Sequence, residues 1–250
     1  MIQESSFFNP VDLENFDRSL IPQHVAIIPD GNRRWAKGNL KDIEEGYQAG
    51  ADALITIVKA AREFGIKVLT VFAFSTENWS RSQEEVKSIF EVINACLKNN
   101  QGMMLDLGIR LNVIGDTAKI PTSLLGQVIE TQKATAAVRN LELVLAINYG
   151  SRDEIKRAVK KILEECQRGT ITLDKISEDE IKAHLDTARW PDPDLIIRTS
   201  GEKRISNFLL WQSSYSEIYT EEVTWPNFTP RHLLKAIIDY QKRERRRGGG

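Results

Sequence analysis

The sequence predicts a single α/β domain with a central, mostly parallel sheet of about six strands flanked by helices. Short β-rich runs, nearly continuous in apolar residues, alternate with segments of helical periodicity. Parallel strands are covered on both faces, so they lack the apolar–polar alternation of half-exposed strands. No internal repeat or low-complexity linker divides the 250 residues, of which 41% are hydrophobic and 28% charged. One large core is therefore the simplest arrangement.

The strand signal recurs six times along the chain. The predicted strands fall within residues 24–29, 66–75, 109–115, 141–150, 194–200 and 216–225. Each of the first five is an apolar run, and the sixth, "SEIYTEEVTW", is rich in β-branched and aromatic residues.

Helical patterns occupy the segments between these runs. After the second run, apolar residues recur at helical spacing at Val86, Ile89, Phe90, Ile93 and Leu97. Ser177 and Glu180 form a capping-box pattern, and Pro230 suits the first turn of a final helix. We therefore expect one domain over residues 1–250, with an N-terminal arm (1–22) and a C-terminal helix followed by an Arg/Gly tail (229–250).

Charge, cysteine content and hydropathy limit the classes of function. The formal charge of −1 gives no overall attraction to nucleic acid, so any anion site must be local. Cys96 and Cys166 share no metal-binding spacing, which favours reduced thiols in a cytosolic protein. The first residues lack a signal-peptide pattern, and no run approaches the ~20 apolar residues of a membrane span. We expect a soluble, cytoplasmic protein with at most a peripheral membrane contact.

Four predicted strands end in polar or charged clusters. These clusters lie at residues 30–34, 75–81, 148–152 and 198–206. Ligands of open parallel sheets bind outside the carboxyl ends of the strands. The sequence therefore predicts one ligand site, built from these clusters, at one edge of the sheet.

The first cluster, "DGNRRW", suits a phosphate group. Gly31 allows a tight turn, and a helix beginning at Asn32 would present amides to an anion. The same tripeptide also forms ordinary turns, and Asp30 beside arginines can be a simple ion pair. Arginines near the strand ends are too numerous for Asp30 to neutralise, namely Arg33, Arg34, Arg81, Arg198 and Arg204. Guanidinium groups bind phosphate oxygens in pairs, so a diphosphate ligand fits this excess.

Other phosphate and catalytic signatures are missing from the sequence. It has no G-x-x-x-x-G-K-[ST] loop and no G-x-G-x-x-G fingerprint. It also has no Asp-Asp-x-x-Asp pattern, which is typical of helical prenyl synthases. It has only three histidines and no nucleophile elbow, so a catalytic triad is not indicated.

Four blocks together resemble the cis-prenyltransferases, most closely the bacterial undecaprenyl diphosphate synthases. They are "HVAIIPDGNRRWAK", "FAFSTENWSR", "NYGSRDEI" and "DLIIRTSGEKRISNFLLWQSSYSEIYTEEVTWP". The resemblance runs from His24 to the "RERRRGG" end. It implies Mg²⁺-dependent condensation of isopentenyl diphosphate onto an allylic diphosphate, usually farnesyl diphosphate, with new double bonds in cis. It also implies a homodimer.

The resemblance assigns a role to each matching residue. Asp30 would bind Mg²⁺ and assist departure of the allylic diphosphate, and Glu217 would complete the metal site. Asn78 would position the condensing unit and relay a proton, since an amide is a poor base. The allylic diphosphate pocket would comprise Gly31, Asn32, Arg33, Arg34 and Trp35. The remaining substrate-binding residues would be Ser75, Thr76, Glu77, Trp79, Arg81, Arg198, Arg204, Ile205 and Ser206.

The sequence departs from the family at the segment after the first motif. The family has an Arg-x-x-Gly-His pattern, and we expect Asp42 and Tyr47 at the arginine and histidine positions. Pro29 stands where methionine is common. These changes predict weaker binding of the allylic diphosphate, unless Lys41 substitutes for the missing cation.

A long prenyl chain needs an apolar tunnel. Residues 49–65 and 84–108 are apolar enough to form its walls, with Leu141, Leu143 and Leu145 as its floor, although ordinary core is the default interpretation for each single residue. Product length depends on the tunnel volume. A noncatalytic, partner-binding subunit is the alternative function, and nucleic-acid binding through the terminal arginines is a weaker one.

Overall fold

The computed structural model describes residues 7–8 and 13–244 of the chain. Within them, six parallel strands form one sheet flanked by helices, which confirms the predicted fold class. The strands are β1 (His24–Ile28), β2 (Val68–Ser75), β3 (Ile109–Ile114), β4 (Leu141–Tyr149), β5 (Leu195–Arg198) and β6 (Glu217–Thr220). The predicted tail from residue 245, and residues 1–6 and 9–12 of the predicted arm, lie outside the described residues.

Seven α-helices accompany the sheet in the described residues. They are α1 (Asn32–Gly38), α2 (Ile43–Phe64), α3 (Gln83–Leu107), α4 (Thr122–Ala134), α5 (Ser151–Gln167), α6 (Glu178–His184) and α7 (Pro230–Gln241). Side-chain caps begin several of them: the Ser82 side chain accepts a hydrogen bond from Glu85 N–H, and Ser177 does the same for Glu180. None of the described helices is long and apolar enough to cross a membrane.

The sheet is covered on both faces. In β1, Val25 and Ile27 belong to the large core cluster, whereas Ala26 and Ile28 belong to a smaller cluster that includes Phe208. Successive strand side chains point to opposite faces, so both sets must be apolar when both faces are buried. This explains the uninterrupted apolar run in the sequence.

The strand order places the functional end of the sheet. The strand order is β3-β4-β2-β1-β5-β6. Strands β2, β3 and β4 therefore lie on one side of β1, and β5 and β6 lie on the other side. Ligands of such sheets bind where the direction of building changes. Asp30 follows β1 and Arg198 ends β5, on either side of this point.

An irregularity in β2 adjusts the same end of the sheet. Phe72 pairs with Ala146 of β4 and Phe74 with Ile147, so Ala73 is an extra residue in the ladder. A bulge of this kind re-aims the neighbouring side chains. Both Phe72 and Ala73 line a pocket at this end.

Candidate active site

Asp30 is held rigidly just beyond β1. Its backbone N–H donates to Thr199 Oγ1 at 2.8 Å, and its carbonyl accepts from the Thr199 and Ser200 hydroxyls at 2.7 and 2.9 Å. Its carboxylate accepts from Arg198 at 2.8 Å and from Arg34 at 3.2 Å. Partial burial opposes ionisation, but the two arginines outweigh it and hold the pKa of Asp30 below its usual value. The carboxylate is therefore ionised.

Gly31 is required by the close packing beside Asp30. Its φ is +105°, and a Cβ at this position would lie 2.1 Å from Ser200 Oγ. Any other residue would have to displace Ser200, which itself bonds Asp30. The glycine thus allows the loops after β1 and β5 to meet.

Arg198 is the buried cation of the site, with a side chain only 6% exposed. Besides Asp30, it donates to Ser206 Oγ at 2.7 Å and to the carbonyl of Arg204, while its Nε is buried without a partner. Ser206 and Asn207 have φ values of +48° and +62°. Non-glycine residues adopt this conformation at a cost of roughly 1–2 kcal/mol each, so the loop stores strain where it contacts Arg198.

The segment after β2 forms a hydrogen-bonded turn. Asn78 Oδ1 accepts from Ser75 N–H at 3.0 Å, so the amino group of Asn78 is the end left for a ligand. The Glu77 carboxylate accepts from Ser75, Thr76 and Asn207. Although burial opposes it, these bonds lower the pKa of Glu77. This turn therefore joins the loop after β5.

Two polar pockets lie side by side at this end of the sheet. The first polar pocket is lined chiefly by Asp30, Gly31, Asn32, Arg33, Arg34, Tyr47, Asn78 and Arg81. The second polar pocket is lined chiefly by Asp30, Ser75, Glu77, Asn78, Arg81, Arg152, Arg198, Ser206 and Asn207. Asp30, Asn78 and Arg81 line both. Two anionic groups bound in these pockets would share these three residues.

The first polar pocket adjoins an apolar cavity of about 90 Å³. Five residues line both spaces and form a collar between them: Pro29, Asn32, Tyr47, Ala73 and Ile89. The cavity lies between the sheet and helices α2 and α3. It extends from Ile89 to Met104, about 22 Å along α3 at 1.5 Å per residue. Leu143 and Leu145 line it as expected, but Leu141 does not.

Tyr47 fixes the polar side of this collar. Its hydroxyl donates to Glu85 at 2.5 Å and accepts from Arg81 at 2.8 Å, and Arg81 also donates to Glu85 at 3.2 Å. Burial, followed by Glu85, raises the pKa of Tyr47 far above its usual value. The neutral phenol therefore serves as both donor and acceptor between a carboxylate and a guanidinium.

The expectation that Asp42 occupies the family's arginine position is wrong. Counting back from Gly46 in the pattern Arg-x-x-Gly-His places that position at Ile43, whose side chain is 41% exposed. Asp42 is instead the N-cap residue of α2, and its N–H donates to Glu45 at 3.0 Å. Lys41 pairs with Glu45 at 2.5 Å, so it does not replace the missing cation in the pocket.

Several predicted residues have structural partners and do not line either polar pocket. The Arg204 side chain pairs with Glu202 and is 62% exposed, so its carbonyl, not its guanidinium, contacts Arg198. Trp35 donates to Asn227 at 3.0 Å. Trp79 donates to Asn148 at 2.7 Å and packs against Phe74 and Phe90. Ile205 packs against the smaller core cluster.

Glu217 lies at the opposite end of the sheet from Asp30. It is the first residue of β6 and pairs with Leu195, whereas Thr220 pairs with Arg198. Three residues at about 3.3 Å each put Glu217 roughly 10 Å below the level of Arg198. Its carboxylate accepts from Arg243 at 2.7 Å. One chain therefore does not bring the two predicted metal ligands together.

Asp30 nevertheless suits a magnesium site completed by a ligand. Mg²⁺ is commonly held by one or two carboxylates together with substrate phosphates. Among the described acidic residues, Asp30 is the one that lines both polar pockets. The described residues contain one cluster of three potential ligands, Glu165, Glu180 and His184, and it lies on α5 and α6 away from these pockets.

Two residues of the site, Arg152 and Asn207, were not among the predicted site residues. Both line the second polar pocket. Arg152 belongs to the polar cluster that follows the fourth predicted strand, so the strand-end rule was the available signal. Asn207 had no such signal, because its contacts with Glu77 and Arg152 join segments far apart in sequence.

The fold thus places two polar pockets lined by arginines beside one apolar cavity. Residues 28–248 match the prenyltransferase family model described as "Putative undecaprenyl diphosphate synthase". The chain is 46% identical to an isoprenyl transferase of Chlamydia trachomatis over 232 residues, covering 91% of this chain and 92% of that protein. It is 45% identical to the ditrans,polycis-undecaprenyl-diphosphate synthase ((2E,6E)-farnesyl-diphosphate specific) of Haemophilus ducreyi, covering 94% and 97%.

Solved structures agree with these relatives. The lavandulyl diphosphate synthase of Lavandula x intermedia, in complex with dimethylallyl diphosphate, superposes with a TM-score of 0.91 at 34% identity. The match covers 92% of this chain and 100% of that one. The chain belongs to the undecaprenyl diphosphate synthase family and is a cis-prenyltransferase.

Proposed function

We propose that this enzyme condenses isopentenyl diphosphate units onto farnesyl diphosphate, with Mg²⁺, to make undecaprenyl diphosphate. One observation carries the proposal: the first polar pocket adjoins the apolar cavity, and both polar pockets share Asp30, Asn78 and Arg81. A growing allylic diphosphate needs a polar site continuous with an apolar space. The added unit is short and needs a polar site alone.

In this proposal, each substrate binds in one of the two polar pockets. The allylic diphosphate binds among Arg33, Arg34 and Arg81, with its prenyl chain passing the collar into the cavity. Isopentenyl diphosphate binds in the second polar pocket beside Arg198 and Ser206. Its terminal alkene carbon attacks C1 of the allylic substrate, the C1–O bond breaks with its electron pair leaving on the diphosphate, and a proton is lost from the added unit.

Charge develops on the departing diphosphate as the C1–O bond breaks. Fixed donors aimed at developing charge are worth several kcal/mol in a site sheltered from water. Arg34 contacts Asp30 and Glu202 at 3.2 Å each and is half exposed, so it can exchange these partners for phosphate oxygens. Asp30 would hold Mg²⁺, which when bound neutralises charge on the diphosphate.

Asn78 acts as a hydrogen-bond donor in this proposal. Its oxygen is engaged by Ser75 N–H, and its amino group is left at the wall shared by the two pockets. A donor there would orient a diphosphate oxygen, and that oxygen, not the amide, would accept the proton lost in the condensation. Asn78 is thus a positioning group.

A homodimer and a peripheral membrane contact complete the proposal. Glu217 can contribute to a metal site only from a second copy, because it lies at the amino end of β6. The edge of the sheet near it exposes Tyr215 (68%) and Ile218 (45%), apolar surface that a second copy would cover. The cytoplasm is the expected location, with release of the apolar product at a membrane surface, and no nucleic-acid partner is proposed.

The test is incorporation of labelled isopentenyl diphosphate by the purified protein with Mg²⁺ and farnesyl diphosphate. Chromatography of the product reads its length, and parallel reactions with dimethylallyl diphosphate test a shorter primer. Absence of incorporation with every primer would favour the alternative, a noncatalytic partner-binding subunit. Salt-sensitive binding of RNA or DNA would contradict the exclusion of nucleic acid.

A further inference from the structure

Arg152 lies at the edge of the second polar pocket, on an element that none of the predicted binding residues uses. It is the second residue of α5, which begins directly after β4. Arg152 is exposed and lines the same pocket as Arg198 and Ser206, and it does not line the first polar pocket. A ligand that contacts Arg152 is therefore one bound in the second pocket.

The other guanidinium groups near this pocket are already engaged. Arg198 bonds Asp30 and Ser206, and Arg81 bonds Tyr47 and Glu85. Arg204 is paired with Glu202. Among the described residues, the Arg152 side chain has no hydrogen bond or ion pair. It supplies the second pocket with a positive charge that no protein carboxylate compensates.

The backbone of Arg152 is fixed to the loop that carries Ser206. Arg152 N–H donates to Asn207 Oδ1 at 3.0 Å, and Ser151 N–H donates to the Asn207 carbonyl at 2.8 Å. The Asn207 amino group in turn donates to Glu77 at 2.8 Å. These first amides of α5 are thereby satisfied, so the guanidinium, not the helix end, is what this segment offers to an anion.

We propose that Arg152 binds the diphosphate of the substrate in the second polar pocket, which is isopentenyl diphosphate if the proposed function holds. A free guanidinium anchored on a fixed backbone can donate two parallel hydrogen bonds to phosphate oxygens. Arg198 already donates to Asp30, Ser206 and the Arg204 carbonyl, so fewer of its donors are left for a ligand. Arg152 consequently provides affinity for the incoming unit, while Arg198 connects that unit to Asp30.

The substitution Arg152→Gln tests this assignment by steady-state kinetics. Loss of a charge-assisted contact should raise KM for isopentenyl diphosphate about tenfold or more. The KM for farnesyl diphosphate and kcat should stay within about twofold, a selectivity that general damage to the fold would not produce. Arg152→Lys, which keeps the charge, should recover part of the loss. Arg168→Gln, at the other end of α5, is the matched control and should behave as wild type.

Two results would overturn the inference. One is an unchanged KM for isopentenyl diphosphate in Arg152→Gln, and the other is an equal rise in KM for both substrates. If the wild-type protein catalyses no condensation, the proposed function fails, and calorimetric titration with inorganic pyrophosphate then tests Arg152 alone. Weaker pyrophosphate binding by Arg152→Gln than by Arg168→Gln would support the site, and equal binding would reject it.

Discussion

The two ends of the central sheet differ in how completely their polar groups are satisfied. At the amino end, the His24 ring contacts the Pro191 carbonyl at 2.6 Å and the Thr70 hydroxyl at 2.7 Å. Asp194 accepts from two backbone N–H groups of the β1 start. At the carboxyl end, three buried atoms lack a partner: Asn32 Oδ1, Arg198 Nε and Thr224 Oγ1.

Backbone strain shows the same difference. Left-handed φ values occur at Asn148, near the end of β4, and at four non-glycine residues of the segment between β5 and β6, namely Ser200, Ser206, Asn207 and Leu209. Strain and unsatisfied polar groups persist only where the surrounding structure imposes them, and they concentrate at functional sites. We therefore expect the amino end to serve the fold and the carboxyl end to bind a ligand. Substitutions at the two ends should therefore separate stability from activity.

The largest effect is expected at Asp30. Asp30→Asn keeps the side-chain shape and a hydrogen bond to Arg198, but it removes the charge proposed to hold Mg²⁺. We expect kcat to fall about 10³-fold, in the range for loss of a major electrostatic group. Asn is the better substitution because alanine would leave the buried Arg198 unpaired and destabilise the fold. Thermal unfolding should show that the variant is folded, and near-wild-type turnover would show that Asp30 is only an ion-pair partner.

His24, at the other end of β1, should affect stability alone. Burial lowers the pKa of His24 to about 4, although the Pro191 carbonyl and nearby acids oppose the shift. Below pH 6.5 the unfolded chain binds a proton at His24, whereas the folded chain binds one only near pH 4. The contribution of His24 to the free energy of unfolding is therefore fully present above pH 6.5 and is lost as the pH falls toward 4. This effect lowers the free energy of unfolding by about 2 kcal/mol between pH 7.5 and pH 5.

The variant His24→Asn lacks the titrating group and keeps a donor for Pro191. Its free energy of unfolding, measured by denaturant titration, should decline less than that of wild type over this pH range, with kcat at pH 7.5 unchanged. Parallel declines for the two proteins would mean that His24 is not the group responsible.

A smaller and selective effect is expected at Tyr47, which lines only the first of the two polar pockets. Tyr47→Phe removes the hydroxyl between Arg81 and Glu85, and a hydrogen bond of this kind is worth about 1 kcal/mol. The KM for farnesyl diphosphate should rise about fivefold, with less change for isopentenyl diphosphate. Tyr219→Phe, which removes a hydroxyl bonded to Glu221 away from both polar pockets, is the control. An equal change for both substrates would argue against a role confined to the first pocket.

The smallest effect is expected at Asp42. Because Asp42 is the N-cap of α2, Asp42→Arg adds no contact to the first polar pocket and leaves both KM values within about twofold. Loss of the cap should lower stability by about 1 kcal/mol, seen as a reduced melting temperature. A several-fold decrease in KM for farnesyl diphosphate would show instead that position 42 does reach the substrate.

The sheet could be predicted from the sequence because strands buried on both faces are uninterrupted runs of apolar residues. The sequence also predicted the positions of Asp30, Arg198 and Ser206, since the strand-end rule needs only strand boundaries. The directions of individual side chains could not be predicted from the sequence. The turn of Arg204 toward Glu202 depends on the strained loop, and the position of Glu217 depends on the register of β6 against β5. Asn207 joins three distant segments, so no local pattern identifies it.

The most direct test of the division between the pockets is a crystal structure with a nonreactive thio analogue of farnesyl diphosphate. We predict that its diphosphate lies among Arg33, Arg34 and Arg81 in the first polar pocket, with the farnesyl chain passing the collar along α3 toward Met104. The second polar pocket should remain available to isopentenyl diphosphate. A farnesyl diphosphate group bound beside Arg152 and Arg198, with its chain outside the cavity, would contradict the account.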